Sequence, residues 1–347
     1  MHITEAAKKL NTTPRAIRFY EDKGLISPKK NEKNDYRYFT GKDLMRLSTI
    51  LALREVGTAV ANIQKQLADP KMEMRDYLNV QRAALFEKWL EIKDMIDTID
   101  DMLDQTQEGE IDTAKIYELA QHLKKLKTVR KNWQDKWNFD SQAADYDQNI
   151  KMHGFRFNVH QDYDIALSEV AEKMQLKEGD TCLDIGIGTG NLGSKFLRQG
   201  THVIGVDQSE KMLEVCKEKH PKIEVRKGHF LALPLLDRYV DGIVSSYALH
   251  HIRDEEKILA LKEMDRVLKP GGKICIADLM FIDKEQRQSV LAAFQQAGNT
   301  QAIEAIYDEY YAYRTELTGW FAANNYKVEA IQINPILSVI YAERVER

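Results

Sequence analysis

The chain has 347 residues, 43% of them hydrophobic, with a formal net charge of −4, and at about 150 residues per domain two folding units are expected. A disulfide-stapled or zinc-knuckle scaffold is excluded because Cys182, Cys216 and Cys275 stand singly in apolar stretches; they are expected to be buried small hydrophobes. A membrane protein is excluded because no apolar run approaches the ~18 residues needed to cross a bilayer, and with no leader-like N-terminal segment a cytoplasmic protein is expected. The charge is uneven: residues 1–60 hold 12 Lys/Arg against 7 Asp/Glu, a net of +5, and the remainder 38 against 47, a net of −9. A basic head on an acidic body points to nucleic-acid contact by the head.

Ile3, Ala6, Ala7 and Leu10 form a short apolar helical stripe that Asn11-Thr12 breaks. Thr13-Pro14 then offers an N-cap and a proline in the first helical turn, and a second helix runs from Arg15 to Asp22 with Arg15 and Arg18 one turn apart and Ile17 and Phe19 expected inward. Gly24 ends that helix. A turn at Asn34-Asp35 and a ribbon at Tyr36-Arg37-Tyr38-Phe39 follow. These blocks, with Leu53-Arg54-Glu55-Val56-Gly57 after them, resemble the winged helix-turn-helix of MerR-type transcription regulators over the first seventy residues. The resemblance implies contact with double-stranded promoter DNA through Thr13, Arg15, Arg18, Tyr20, Tyr36 and Arg37. Arg15 is expected to read base edges and Arg18 a phosphate, while Tyr36 and Arg37 of the wing grip the backbone.

Leu78, Leu85, Ile92 and Ile99 repeat every seven residues, as do Arg82, Trp89, Ile96 and Leu103, and the two series interleave by steps of three and four. That is a coiled-coil seam. It predicts a homodimer whose heads read half-sites about 34–36 Å apart, or a multiple of that; RNA polymerase would be met only indirectly, at the promoter. Gln105 to Asp112 reads as a linker, and the stretch with Leu119, Leu123, Leu126, Trp133 and Trp137 as a connecting helix.

From Thr181 onward, short apolar runs alternate with helical patterns: 181–185, 202–206, 223–226, 240–245 and 273–277. Evenly apolar strands need helices on both faces, which predicts a doubly wound parallel sheet with its ligand at the strands' carboxyl ends. Between the first strand and its helix lies Gly186-Ile187-Gly188-Thr189-Gly190, a turn that lets backbone amides approach a nucleotide closely. Asp207, ending the second strand, can accept from ribose hydroxyls, and up to this point NAD would also fit. Asn191, however, stands where the dinucleotide pattern wants its third glycine. The order Asp184-x-Gly186-x-Gly188-x-Gly190, then Asp207-Gln208-Ser209, then Asp241 to His251, then Leu268-Lys269-Pro270-Gly271-Gly272, resembles the small-molecule branch of class I S-adenosylmethionine-dependent methyltransferases. The resemblance implies S-adenosyl-L-methionine as cofactor and S-adenosyl-L-homocysteine as product. Gly186 and Gly188 would face the methionine and ribose, Asp207 the ribose, and Gln208 and Met212 the adenine neighbourhood, while Asp184 would act through the methionine amino group or a water. Ser245 would lie beside the methyl group, and Tyr146, in Asp145-Tyr146-Asp147, would belong to the lid.

Where the family usually has Gly-Asp after the third strand, this chain has Gly228-His229-Phe230. A neutral imidazole can accept from the adenine amine and an imidazolium cannot, so cofactor binding is expected to weaken as pH falls through the pKa of His229. His250 and His251 are the paired ionisable groups at the active end, with His250 the candidate general base. Tyr307, Tyr310, Tyr311 and Tyr313 fall where a substrate-covering insertion would lie and are candidates to cage a small ligand or a cation. Ser245-Ser246-Tyr247 replaces the Asn/Asp-Pro-Pro-aromatic motif of amino-group methylation, so DNA methylation is not expected.

The whole is therefore read as a winged helix-turn-helix (1–70), a dimerising coiled-coil helix (71–107), a helical linker (108–140) and a Rossmann-like α/β methyltransferase domain (141–347). Three functions remain open: a regulator whose body methylates a small molecule, a non-catalytic sensor of S-adenosylmethionine or a drug-like ligand, and a nucleic-acid methyltransferase targeted by its head.

Overall fold

The computed structural model describes residues 1–30, 36–68, 72–107, 113–131, 136–151 and 157–345. It divides into two compact units, Met1–Ile111 and Asp112–Arg347. In the first, α1 (Ile3–Lys9) buries Ala6 and Ala7, and α2 (Pro14–Asp22) starts at Thr13, whose hydroxyl accepts from the Ala16 amide at 3.1 Å. Pro14 sits at the first helical position, where its missing N–H leaves no bond unmade. Strands β1 (Lys29–Lys30) and β2 (Arg37–Tyr38) pair antiparallel; the expected Asn34-Asp35 turn lies outside the described residues. A capping box of Thr40 and Asp43 starts α3 (Gly41–Glu55), followed by α4 (Val60–Gln66) and the 34-residue α5 (Met74–Gln107). The start of α5 packs Tyr77, Val80 and Ala84 into the head core, and Gln81 Nε2 donates to Thr49 Oγ1 at 2.6 Å. Leu78, Leu85, Ile92, Ile96, Ile99 and Leu103 stay 43 to 55% exposed.

The second unit opens with α6 (Thr113–Lys131), α7 (Phe139–Gln142), α8 (Tyr146–Ile150) and α9 (Tyr163–Met174). Trp133 lies outside the described residues, and Trp137 stands beyond the end of α6. Then come β3 (Thr181–Ile185), α10 (Gly193–Leu197), β4 (His202–Asp207), α11 (Glu210–Lys219), β5 (Glu224–Lys227), β6 (Val240–Ser246), a short 3-10 turn at Leu249–His251, α12 (Asp254–Val267) and β7 (Leu268–Phe281). The chain continues with α13 (Lys284–Gln296), α14 (Thr300–Asp308), β8 (Ala312–Tyr313), α15 (Arg314–Ala323), β9 (Tyr326–Asn334) and β10 (Leu337–Arg344).

The strand order is β5-β4-β3-β6-β7-β10-β9, with β8 added beside the end of β7. From β5 to β7 all pairings are parallel. The expected all-parallel sheet is corrected at the other edge, where β10 runs antiparallel to both β7 and β9. Only residues 335 and 336 join β9 to β10, and so short a link permits a hairpin but not the helical crossover that parallel strands require. Apolar side chains cover both faces: α9, α10, α11 and α13 on one, α12, α15 and the 230–235 segment on the other. Cys182, Cys216 and Cys275 are buried free thiols. Strand order reverses at β3, between β4 and β6, which is where a doubly wound sheet opens its crevice.

Candidate active site

A cleft of about 570 Å³, including its open mouth, lies at the carboxyl ends of β3, β4 and β6. Its floor is the glycine turn. Gly186 has φ +71°, and a Cβ there would stand 2.5 Å from the Ala248 Cβ, so turn and facing segment meet only because the side chain is missing. Val206 carbonyl accepts from the amides of Gly186 and Ile187 at 2.8 and 3.1 Å. Asp207 Oδ2 accepts from the Gly188 amide and Oδ1 from the Ser209 amide, both at 2.9 Å. The carboxylate is thereby fixed at the cleft wall.

Two short helices cover the mouth. Ser209 caps α11, accepting from the Met212 amide at 3.1 Å, and donates its hydroxyl to Asp140 Oδ1 at 2.6 Å, which ties α7 and with it Phe139 to the end of β4. On α8, Tyr146 lines the cleft while its neighbour Asp147 is latched to the glycine turn: Thr189 Oγ1 and Asn191 Nδ2 donate to Oδ1 at 2.6 and 3.0 Å, and the Lys219 ammonium pairs with Oδ2. Asn191, standing where a third glycine was absent, thus holds the lid.

Nine of the expected residues meet in this cleft: Tyr146, Gly186, Gly188, Asp207, Gln208, Met212, His229, Phe230 and His251. Three do not. Asp184 lies behind the wall, 1% exposed, and the Gly193 amide faces its carboxyl without forming a hydrogen bond of good geometry. Burial pushes its pKa up to about 8, only partly offset by the Gly193 amide, with the Asp207 charge adding to the rise. Ser245 is fully buried and its hydroxyl donates to the Ile185 carbonyl at 2.8 Å, stitching β6 to β3, so it does not reach the methyl position. His250 is buried behind the wall, its Nδ1 2.5 Å from Asp278 Oδ1. Burial opposes its charge, but Asp278 and then Glu309 outweigh this and raise its pKa.

His251 does line the cleft, between the rings of Trp137 (4.5 Å) and Phe139 (4.9 Å), and burial together with the His250 charge holds its pKa well below the ordinary value. His229 departs from expectation in its proton. Its Nδ1 accepts from the Leu231 amide at 3.3 Å, so the neutral ring carries hydrogen on Nε2, which is a donor and not an acceptor. Burial, with the Arg130 charge nearby, pushes its pKa down to about 3, which moves the expected acid weakening of cofactor binding down to that pH.

Phe139, Ile185, Val206, Gly228, Tyr247 and Ala248 also line the cleft and were not singled out. Tyr247 had a signal: it directly follows β6, has φ +49°, and its hydroxyl is buried without a partner. The four late tyrosines form no cage, since Tyr307 is 65% exposed and Tyr311 is buried.

In the head, Arg15 and Arg18 are exposed on α2, and Tyr36 is 64% exposed beside the wing. Phe19, expected inward, is 44% exposed, while Tyr20, expected at DNA, packs in the core at 7%. The helix turns Ile17 and Tyr20, three residues apart, to one face. Arg37 Nε donates to Glu21 Oε2 at 2.5 Å, so the half-buried wing arginine, expected to grip the DNA backbone, ties the ribbon to α2.

The model of the MerR HTH family regulatory protein matches residues 1–69, and a methyltransferase domain model matches residues 182–272. An uncharacterized methyltransferase of Oceanobacillus iheyensis is 35% identical over 208 residues, covering 60% of this chain and 96% of the relative. One of Alkaliphilus oremlandii is 34% identical over 207 residues, covering 59% and 95%. Among solved structures, the YcgJ protein from Bacillus subtilis aligns over 53% of this chain and 100% of its own at 20% identity, with a TM-score of 0.44. The chain therefore belongs to this methyltransferase family and carries a MerR-type helix-turn-helix on the same polypeptide.

Proposed function

We propose that the cleft binds S-adenosyl-L-methionine, that the body passes its methyl group to a small-molecule acceptor with release of S-adenosyl-L-homocysteine, and that the head couples the cleft to promoter DNA. The observation that carries this reading is the lock between Asp207 and the glycine turn. A rigid carboxylate beside backbone that no side chain shields suits a ribose diol next to a closely approached ligand.

When bound, S-adenosylmethionine supplies an electrophilic methyl group on a sulfonium, which is a good leaving group. The protein's share is therefore alignment and exclusion of water. Asp207 accepts from ribose hydroxyls, Gln208, Met212 and Phe230 hold the adenine, and His229 Nε2 donates towards it. Tyr146 and Phe139 close over the ligand while Asp147 keeps the lid shut. Asp184 supports the turn from behind. On the acceptor side the Tyr247 hydroxyl, buried and without a hydrogen-bond partner, is left for an incoming molecule to satisfy, while the His251 ring forms part of the wall.

The proposed organisation keeps the head at 1–70, the dimerising helix at 71–107, the connecting segment at 108–140 and the methyltransferase domain at 141–347. Support for a homodimer is the row of six large apolar side chains along α5, left exposed at heptad spacing. Arg15 and Arg18 then face the major groove and Tyr36 the backbone. If ligand changes operator affinity, operator DNA changes ligand affinity by the same factor.

The test is transfer of tritiated methyl groups to a cell extract, with and without operator DNA that the full chain selects from random sequence. Label in the small-molecule fraction is expected; label in nucleic acid would favour a targeted nucleic-acid enzyme. Cofactor binding without label would favour a sensor, the second reading, which the withdrawal of His250 from the cleft supports.

A further inference from the structure

Three Lewis-base atoms from two separate segments converge beside the cleft. Asp278 is saturated as an acceptor, Oδ2 taking the amides of Ala248 and Leu249 at 3.0 and 2.5 Å and Oδ1 that of Leu279 at 2.6 Å. The ring nitrogen facing so fixed a carboxylate must bring a proton, so His250 carries hydrogen on Nδ1, and the neutral ring presents the Nε2 lone pair on its other side. That lone pair lies 3.7 Å from Glu309 Oε2. His251 Nδ1 lies 3.9 Å from Glu309 Oε1 and is buried with no hydrogen-bond partner. One donor atom from each residue stands within 4.8 Å of the others. Glu309 is held there by its neighbour, since the Tyr310 amide donates to the His250 carbonyl at 2.9 Å.

At 3.7 and 3.9 Å neither Glu309 contact is a hydrogen bond, and His251 Nδ1 is left without a partner. A proton between His250 and Glu309 would relieve one contact and leave His251 Nδ1 unpaired, whereas a cation meets all three. The buried Lys257 ammonium is not that cation, because it donates to the Ile252 carbonyl, Asp254 Oδ1 and the Tyr310 carbonyl at 2.7, 2.7 and 2.6 Å.

We propose that His250, His251 and Glu309 form a site for one divalent first-row transition-metal ion of the zinc type. Two imidazoles and one carboxylate suit such an ion, whereas calcium and magnesium favour all-oxygen sets. Tetrahedral bonds of about 2.1 Å put donor atoms about 3.4 Å apart; the separations of 3.7 and 3.9 Å run to the two different Glu309 oxygens, and with one donor per residue all within 4.8 Å the side chains must draw in on binding by up to about 1.4 Å. Asp278 then stands behind a ligating histidine, fixing its tautomer and orientation. Three protein ligands leave a coordination position open. Because His251 belongs to the cleft wall, the ion is a side chain away from the acceptor side, and an acceptor bearing an oxygen or nitrogen donor would complete its coordination. That role for the ion rests on the methyl-transfer reading, but the site itself does not.

Tag-free full-length protein, stripped with chelator, is titrated with zinc by calorimetry and with cobalt(II) by visible spectroscopy, without S-adenosylmethionine. One ion per chain is expected, with cobalt d–d bands of a four- or five-coordinate site. Glu309→Gln removes the charge, and His250→Asn keeps a donor for Asp278 but deletes Nε2. Each should weaken zinc binding at least about tenfold while the metal-free form still melts cooperatively. X-ray absorption of the zinc-loaded wild type needs no variant and should show imidazole scattering from two histidines. No stoichiometric uptake, a zinc shell without imidazole, or variants that bind zinc as the wild type does would each overturn the site. Zinc uptake by a chain that cannot bind S-adenosylmethionine would leave this site standing and remove the cofactor reading, and cofactor binding without zinc uptake would do the reverse.

Discussion

The two sides of the cleft are built differently. The side at β3 and β4 is made of neighbours in sequence: a glycine turn, the acid that ends the next strand, and the serine that caps the next helix, joined by short backbone bonds. The side beyond β6 is made of residues that are far apart along the chain, with His250 gripped by Asp278, 28 residues on, and faced by Glu309. The first arrangement fixes a ligand by geometry. The second leaves polar atoms of Tyr247 and His251 unpaired, as a site that awaits its second ligand should.

The largest effect should come from Asp207→Ala, which removes a charged acceptor from two amides and from the ribose. At about 1.5–3 kcal/mol per bond to a charged group, cofactor affinity should fall at least ~100-fold in calorimetry, and a smaller loss would mean that the two sides share the binding. Gly186→Ala follows. Its Cβ would overlap Ala248 in a backbone conformation that side chains rarely adopt, so we expect about 2 kcal/mol of lost stability in thermal melts; an unaltered melt would show that turn and facing segment can part. Asp147→Ala, which frees the lid, should weaken cofactor binding about tenfold (~1.4 kcal/mol) with little change in melting.

Asp184→Asn tests the buried floor. With a folded pKa of about 8 against an ordinary 3.8, the native carboxyl keeps its proton while the unfolded one loses it. Its contribution is then full below about pH 4 and is lost as pH rises towards 8, by at most about 1.4 kcal/mol per pH unit. The variant should therefore gain on the wild type between pH 5 and 8, whereas a difference that is flat in pH contradicts the burial. The smallest effect is expected at His229. With its pKa near 3, the cofactor affinities of wild type and His229→Asn should run parallel from pH 8 to 5.5, and divergence near pH 6.5 would restore the titration to the cleft.

The same contrast decides what could be read from the sequence. Gly186, Gly188, Asp207, Gln208, Met212 and His229 all lie at or within five residues of a strand's carboxyl end, and a parallel sheet sends such residues to one edge, so their meeting was legible. Ser245 stands near the carboxyl end of β6 too, but side chains alternate along that strand, and its hydroxyl turns to the Ile185 carbonyl inside the sheet. His250 and His251 are adjacent, yet the 3-10 turn sends one behind the wall and leaves the other on it. No local pattern announces Asp278 or Glu309 as their partners. The antiparallel edge was hidden by chain reversal at two residues after Asn334. In the head, Arg15 and Arg18 were legible as an exposed pair, whereas the places of Phe19 and Tyr20 depended on the angle at which α2 meets its core.

The most direct test of the account is a calorimetric titration of S-adenosylmethionine into the wild type, Asp207→Ala and Ser245→Ala. One site per chain in the wild type, lost in Asp207→Ala and kept in Ser245→Ala, is predicted, because the first residue is on the cleft wall and the second is inside the sheet. Absence of binding to the wild type, or equal losses in the two variants, would contradict it.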